Sequence, residues 1–317
     1  MAAPGTIFMF SGQGSQYFQM GRELYDRHPG FRAAVKRLDA LAQSLLGKSP
    51  IEEAHRGEKA QNFDRLRYTH PAIFIIEHAL AECLMSDDIV PDMTLGASLG
   101  TFAAASIAGF IDTEQALRTV IAQADAVETN CERGGMTAIV DDVALFDAPG
   151  IGERTTLAGV NFDRHFVVSA THADLDAVEA ELRTRGAVHQ RLAVQYAFHS
   201  HWIEPARDDV RALLDALPVS DGRMPMVCCA TAAIHTRAFR SDHLWDVVRQ
   251  PIRFADTIAR LEREGGWRYI DVGPSGTLAT FAKYAMPAES RSTTAAILTP
   301  FGRDLKNYEA LTGIAVV

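Results

Sequence analysis

Cysteine is scarce in this 317-residue chain, which has only Cys83, Cys131, Cys228 and Cys229 and no C-x-x-C pair. That pattern excludes a disulfide framework and argues against a zinc site. Long apolar runs are also missing. The longest weakly polar stretch, Ala103 to Ile111, is far short of the roughly 20 residues that span a bilayer, so no membrane helix is expected. Met1 to Ser11 puts no positive residue ahead of its short apolar run, which does not fit a secretory leader. Positive charge is in deficit as well. Thirty-one Lys and Arg face forty Asp and Glu, for a formal net charge of −9, and such a balance repels nucleic acid at long range. The glycine motifs lack G-x-G-x-x-G spacing and no metal-ligand cluster is visible, so neither a nicotinamide cofactor nor a metal is expected. A cytoplasmic globular protein is what these absences leave.

What is present is ordinary for such a protein: 47% hydrophobic, 22% charged and 8% aromatic residues. At roughly 150 residues per domain the length predicts two domains, or one large domain with an insert. Thr6 to Phe10 is a short apolar run that ends in Ser11-Gly12-Gln13-Gly14-Ser15-Gln16, a buried strand delivered into a glycine turn. Two helical patterns follow, broken at His28-Pro29-Gly30 and stopped at Gly47. Thr69-His70-Pro71 reads as a cap and first-turn proline opening a helix through Leu84. From Gly135 the texture changes to strand-like runs at 136–140, 156–160 and 165–169, a helix over 173–185 and a strand over 188–194. This succession predicts a small α+β insert of the ferredoxin-like kind. Beyond it the α/β pattern resumes, notably at Met226–Ala230 and Tyr269–Gly273.

Gly96-Ala97-Ser98-Leu99-Gly100 matches G-x-S-x-G between a predicted strand and a predicted helix, the setting of a nucleophile elbow. The glycines permit a sharp turn that lifts the serine hydroxyl clear. A helix start also leaves amide groups unpaired, so the Leu99 N–H can face a developing oxyanion. A serine nucleophile needs a base, and Tyr196-Ala-Phe-His-Ser-His-Trp202 offers His199 and His201 just after the insert. Spacing alone pairs neither with Ser98.

Five ordered motifs, Phe10–Gln16, Gly96–Gly100, Ala197–Ser200, Gln250–Phe254 and Asp271–Pro274, make essentially the whole chain resemble malonyl-CoA:acyl-carrier-protein transacylases and polyketide synthase acyltransferases. The resemblance implies an α/β fold, with an α/β-hydrolase-like large subdomain at 1–130 and 197–317 and an inserted ferredoxin-like α+β subdomain at 131–196. It makes Ser98 the acyl-accepting nucleophile and His199, which follows Phe198, its base. The amides of Gln13 and Leu99 would form the oxyanion hole, each donor contributing roughly 3 kcal/mol in the transition state. The family orients its base with a backbone carbonyl, expected here near Val247. No cofactor is implied beyond the phosphopantetheine of an acyl-carrier protein or CoA that carries the acyl thioester.

Three positions depart from the malonyl-handling members. Gln123 stands where they carry a carboxylate-binding arginine, and Arg118 lies on a different helical face. A buried carboxylate left unpaired costs on the order of 3 kcal/mol, about a hundredfold in rate. Ala97 replaces the usual histidine before the nucleophile and leaves room for a larger acyl chain. His70 replaces a glutamine and would hold a water or polar substituent, or else only fill space. With Phe198 these are the expected substrate-binding residues. They resemble a trans-acting branch that transfers non-carboxylated acyl groups between thioesters in polyketide biosynthesis, or hydrolyses stalled acyl groups from carrier proteins. Docking of an acidic carrier would use arginines such as Arg185, Arg191, Arg207, Arg211, Arg237 and Arg240. A serine esterase remains an open reading, with Asp246 as a triad aspartate; a catalytically silent interaction protein is the other.

Overall fold

The computed structural model describes residues 4–59 and 61–316; Met1 to Ala3 of the start considered above lie outside the described residues. The strands, in chain order, are β1 (Gly5–Phe10), β2 (Met93–Gly96), β3 (Gly134–Val140), β4 (Thr156–Phe162), β5 (His165–Thr171), β6 (Val188–Arg191), β7 (Met226–Cys228), β8 (Ala233–His235), β9 (Ile252–Arg253), β10 (Trp267–Asp271) and β11 (Thr293–Ala296). They form two sheets. The larger runs β11-β10-β1-β2-β7-β8 and is parallel except for the β7–β8 pair.

β1 is apolar on both faces because both faces are covered. Phe8 and Phe10 enter a large core beneath the helices Pro29–Leu46, Leu66–Ser86 and Thr113–Asn130. Ile7 and Met9 face a second core under Phe254–Glu262 and Thr277–Ala285. The result is an α/β layer with the strand ends β1 and β2 adjacent, which brings the Ser11–Gln16 loop beside the Gly96–Gly100 turn.

The smaller sheet runs β6-β3-β5-β4-β9. Its first four strands are antiparallel in ferredoxin-like order, and Phe166 and Val168 share a core with Leu175 and Val178 of the helix His172–Thr184. Only a short 3₁₀ turn, Val143–Asp147, occupies the first crossover, which explains its weak sequence signal. β9 comes from the other part of the chain. It pairs in parallel with β4 at Gly159↔Ile252 and Val160↔Arg253, stitching the small sheet to the segment that follows Gln250.

One helix starts earlier than its local signals predict. It begins at Leu66, and Pro71 lies inside it. The cap is tertiary: Glu128 accepts from the Arg67 amide at 3.1 Å, and Thr69 bonds back to Arg65. Thr69 therefore does not cap this helix. No described helix is long and apolar enough to cross a membrane.

Candidate active site

The sharp turn between β2 and the helix Gly100–Ile107 forces Ser98 to a φ of 54°, the left-handed conformation a nucleophile elbow imposes on its serine. The turn closes only because Gly100 packs directly on the Phe10 carbonyl, where a Cβ would collide with main-chain atoms. From the neighbouring loop Gly12 approaches equally closely. A Cβ there would lie 2.8 Å from Ser98 Cβ and 3.3 Å from its Oγ.

Ser98 Oγ lies 2.8 Å from Nε2 of His199. The histidine is 2% exposed and also has a positive φ, 59°. Its Nδ1 lies 2.7 Å from the main-chain oxygen of Gln250, and its amide donates to Val248 O at 3.0 Å. A carbonyl can only accept, so Nδ1 carries the proton and Nε2 presents a lone pair to the serine hydroxyl. The orienting carbonyl is thus Gln250, three residues past the expected Val247. Val247 lies inside the helix His243–Arg249, whereas Gln250 is the extended residue just beyond it. Among the described residues no carboxylate bonds His199, and the Asp246 carbonyl is occupied by the Gln250 amide.

The small sheet holds this base from a second side. Ser169 Oγ on β5 donates to the Phe198 carbonyl at 2.6 Å. Burial holds the His199 pKa down to about 4, and its bond to the Gln250 carbonyl offsets part of that effect. A base must be unprotonated to work. Its function is therefore present above that pKa and lost as pH falls through it. Single-turnover acylation is expected to stay level through neutral pH and to halve near pH 4, not near the ordinary histidine value of about 6.5.

The other expected residues divide. Gln13, Leu99, Ala97, His70 and Phe198 all line the cleft over Ser98, a cavity of 320 Å³. Neither the Gln13 nor the Leu99 amide has a partner among the described residues. His70 Nε2 lies 2.6 Å from the Gln13 side-chain oxygen, and its ring is 5.7 Å from that of Phe198. Burial pushes its pKa down to about 3, so it is neutral. Gln123 does not line the cleft. It is 1% exposed on the helix Thr113–Asn130, and its side-chain nitrogen and oxygen have no partner among the described residues. Arg118 is exposed on the opposite side of that helix. His201 is exposed, outside the dyad, and its ring lies tilted against that of Trp202.

Local sequence reading missed the far wall of the cleft. Met136, Ala138 and Val167 from the small sheet, and Leu278 and Phe281 from a helix of the large one, form an apolar wall. Asn161, His165 and Gln190 add neutral polar groups. Among the described residues no Asp, Glu, Lys or Arg side chain lines the cavity. The arginines expected to receive an acidic carrier are largely neutralised. Arg185, Arg191, Arg207, Arg211 and Arg240 each lie within 4.0 Å of an acidic side chain. For Arg185, Arg207 and Arg240 the partner is a near neighbour in sequence, as in the Glu181–Arg185 helical pair, whereas Arg191 and Arg211 meet theirs through the fold.

The family described as "Acyl transferase domain" matches residues 7–316. The "polyketide biosynthesis acyltransferase homolog BaeD" of Bacillus velezensis is 42% identical over 308 residues, covering 96% of this chain and 95% of that protein. The homolog PksD of Bacillus subtilis is 38% identical with the same coverage, 96% and 95%. Among solved structures, the acyltransferase domain from the second module of the salinomycin polyketide synthase superposes with a TM-score of 0.84 at 30% identity, covering 98% of this chain and 72% of that one. A match across nearly all of the described chain, on a fold whose strand ends converge on a serine and a histidine, makes this protein a member of the acyl transferase domain family.

Proposed function

We propose that this chain moves non-carboxylated acyl groups between thioesters in polyketide biosynthesis, through an acyl-Ser98 intermediate. The observation that carries the reading is the cleft over Ser98, whose described lining contains no charged side chain. A carboxylated acyl group would enter it without a counter-ion.

In this mechanism His199 Nε2 takes the Ser98 proton as Oγ attacks the thioester carbonyl. The negative charge that develops on the carbonyl oxygen is held by the Gln13 and Leu99 amides, helped by the positive end of the helix Gly100–Ile107. As the tetrahedral species collapses, the C–S bond breaks and the proton on His199 passes to the departing thiolate. Acyl-Ser98 remains. In the second half a carrier thiol gives its proton to His199 and attacks the ester carbon, and Ser98 leaves with the proton restored. The acyl group travels on phosphopantetheine of an acyl-carrier protein or CoA in the cytoplasm, and the protein needs no cofactor of its own.

The test is intact-protein mass spectrometry of butyryl-carrier protein incubated with this chain, with and without a second, unloaded carrier. Appearance of butyryl on the second carrier supports transfer. Loss of butyryl to water at the same rate with or without the acceptor overturns transfer and makes the chain a hydrolase that clears stalled acyl groups.

A further inference from the structure

Beneath the Ser11–Gln16 loop lies a carboxyl group that the mechanism does not use. Glu77, in the middle of the helix Leu66–Ser86, is 0% exposed. Its Oε1 lies 2.7 Å from the Ser11 amide nitrogen and 2.8 Å from Ser11 Oγ, while its Oε2 is buried with no partner among the described residues. The Ser11 hydroxyl is 2.9 Å from Ser15 Oγ, which is 2.8 Å from the Gly12 carbonyl.

A proton count on this chain is informative. Three oxygen–oxygen contacts of hydrogen-bond length link Glu77, Ser11, Ser15 and the Gly12 carbonyl, and each needs one proton. The two serines supply two. The Gly12 carbonyl can only accept, so the third must come from the carboxyl. The proton then runs in one direction: Glu77 donates to Ser11, Ser11 to Ser15, and Ser15 to Gly12. An ionised Glu77 would leave one contact without a proton and a buried charge without a cation, beside the equally buried carboxyl of Asp271.

We propose that Glu77 is a positioning residue, held as a neutral carboxylic acid, whose proton heads this chain and fixes the loop that presents the Gln13 amide to Ser98. Burial also pushes the Glu77 carboxyl well above the usual carboxylate range, in the same direction. Gly12 and Gln13 are consecutive, so anchoring Gly12 from below sets the distance from the Gln13 amide to the substrate oxygen. The functional part of this inference rests on the proposed role of that amide as an oxyanion donor; the protonation state does not.

The experiment therefore has two arms on the full chain. An infrared difference spectrum of the wild type minus Glu77→Gln at pH 7 should contain a protonated-carboxyl C=O band; a difference containing only carboxylate bands would overturn the proposal. Ser15→Ala interrupts the chain without touching the buried carboxyl. Both it and Glu77→Leu, which removes the donor that a glutamine would keep, should lower the single-turnover acylation rate by roughly tenfold, within the loss of about 10²–10³ known for removing one oxyanion donor outright, with KM for the thioester nearly unchanged. Acylation at the wild-type rate in both variants, or a rise in KM alone, would overturn the positioning role. If the band is present and Ser98 is acylated in the wild type yet both variants keep its rate, the failure lies in the loop's role and not in the acyl-serine reading.

Discussion

Replacing His199 with alanine is expected to slow acylation of Ser98 by about 10²–10⁴-fold, the range a positioned general base contributes. KM for the thioester should stay close to its starting value, because the substitution removes an interaction made as the proton moves and leaves the cleft wall intact. The serine hydroxyl has its hydrogen bond to Nε2 at 2.8 Å and gains nothing comparable when the ring is gone. The companion variants separate this dyad from a triad. Nδ1 is oriented by the main-chain oxygen of Gln250, so Gln250→Ala keeps the orienting group and should change the rate little. Asp246→Asn should also be nearly silent. A large loss at Asp246 alongside the large loss at His199 would return the site to an esterase-type triad. Rapid-quench measurement of the acyl-enzyme checks all three.

The second large effect concerns the acyl group. A malonyl thioester is expected to acylate Ser98 at least about a hundredfold more slowly than an acetyl or butyryl thioester. The described cavity lining offers no cation, and an unpaired carboxylate in such a place costs on the order of 3 kcal/mol. The single-turnover rate constants of the three thioesters, compared at one pH, measure this directly. Equal rates would mean that the carboxylate stays in solvent and that cleft charge does not select the substrate. Gln123→Arg sharpens the test. Gln123 is buried just outside the described cleft lining, with both amide atoms unpartnered among the described residues, and the longer side chain of an arginine there is expected to reach the cleft and narrow the malonyl gap. An unchanged gap would mean that position 123 does not reach the acyl group.

The legible parts of this site were those written in consecutive residues. Gly96–Gly100 specifies its own turn, and the apolar Thr6–Phe10 run followed by glycines specifies a strand and loop. Both are local, and both appear where their residues predict. The pairing of Ser98 with His199 came from resemblance alone, since 101 residues separate them and only the tertiary fold brings them together. The orienting group could not be read from side-chain chemistry because it is a backbone oxygen. Its place depends on where the helix ends, at Arg249, and on the β4–β9 pairing just beyond. The same holds for the early start at Leu66, capped by a glutamate from another helix. Nothing in the residues around Glu77 sets it apart on its helix. Its meaning appears only when the Ser11 loop folds over it.

The account stands or falls on whether Ser98 carries the acyl group. Peptide mapping by mass spectrometry, after rapid quenching of the chain mixed with butyryl-carrier protein, tests that claim most directly. The predicted result is a butyryl ester on the peptide containing Ser98, absent from Ser98→Ala. A butyryl adduct on another residue, or one that persists in Ser98→Ala, would contradict it.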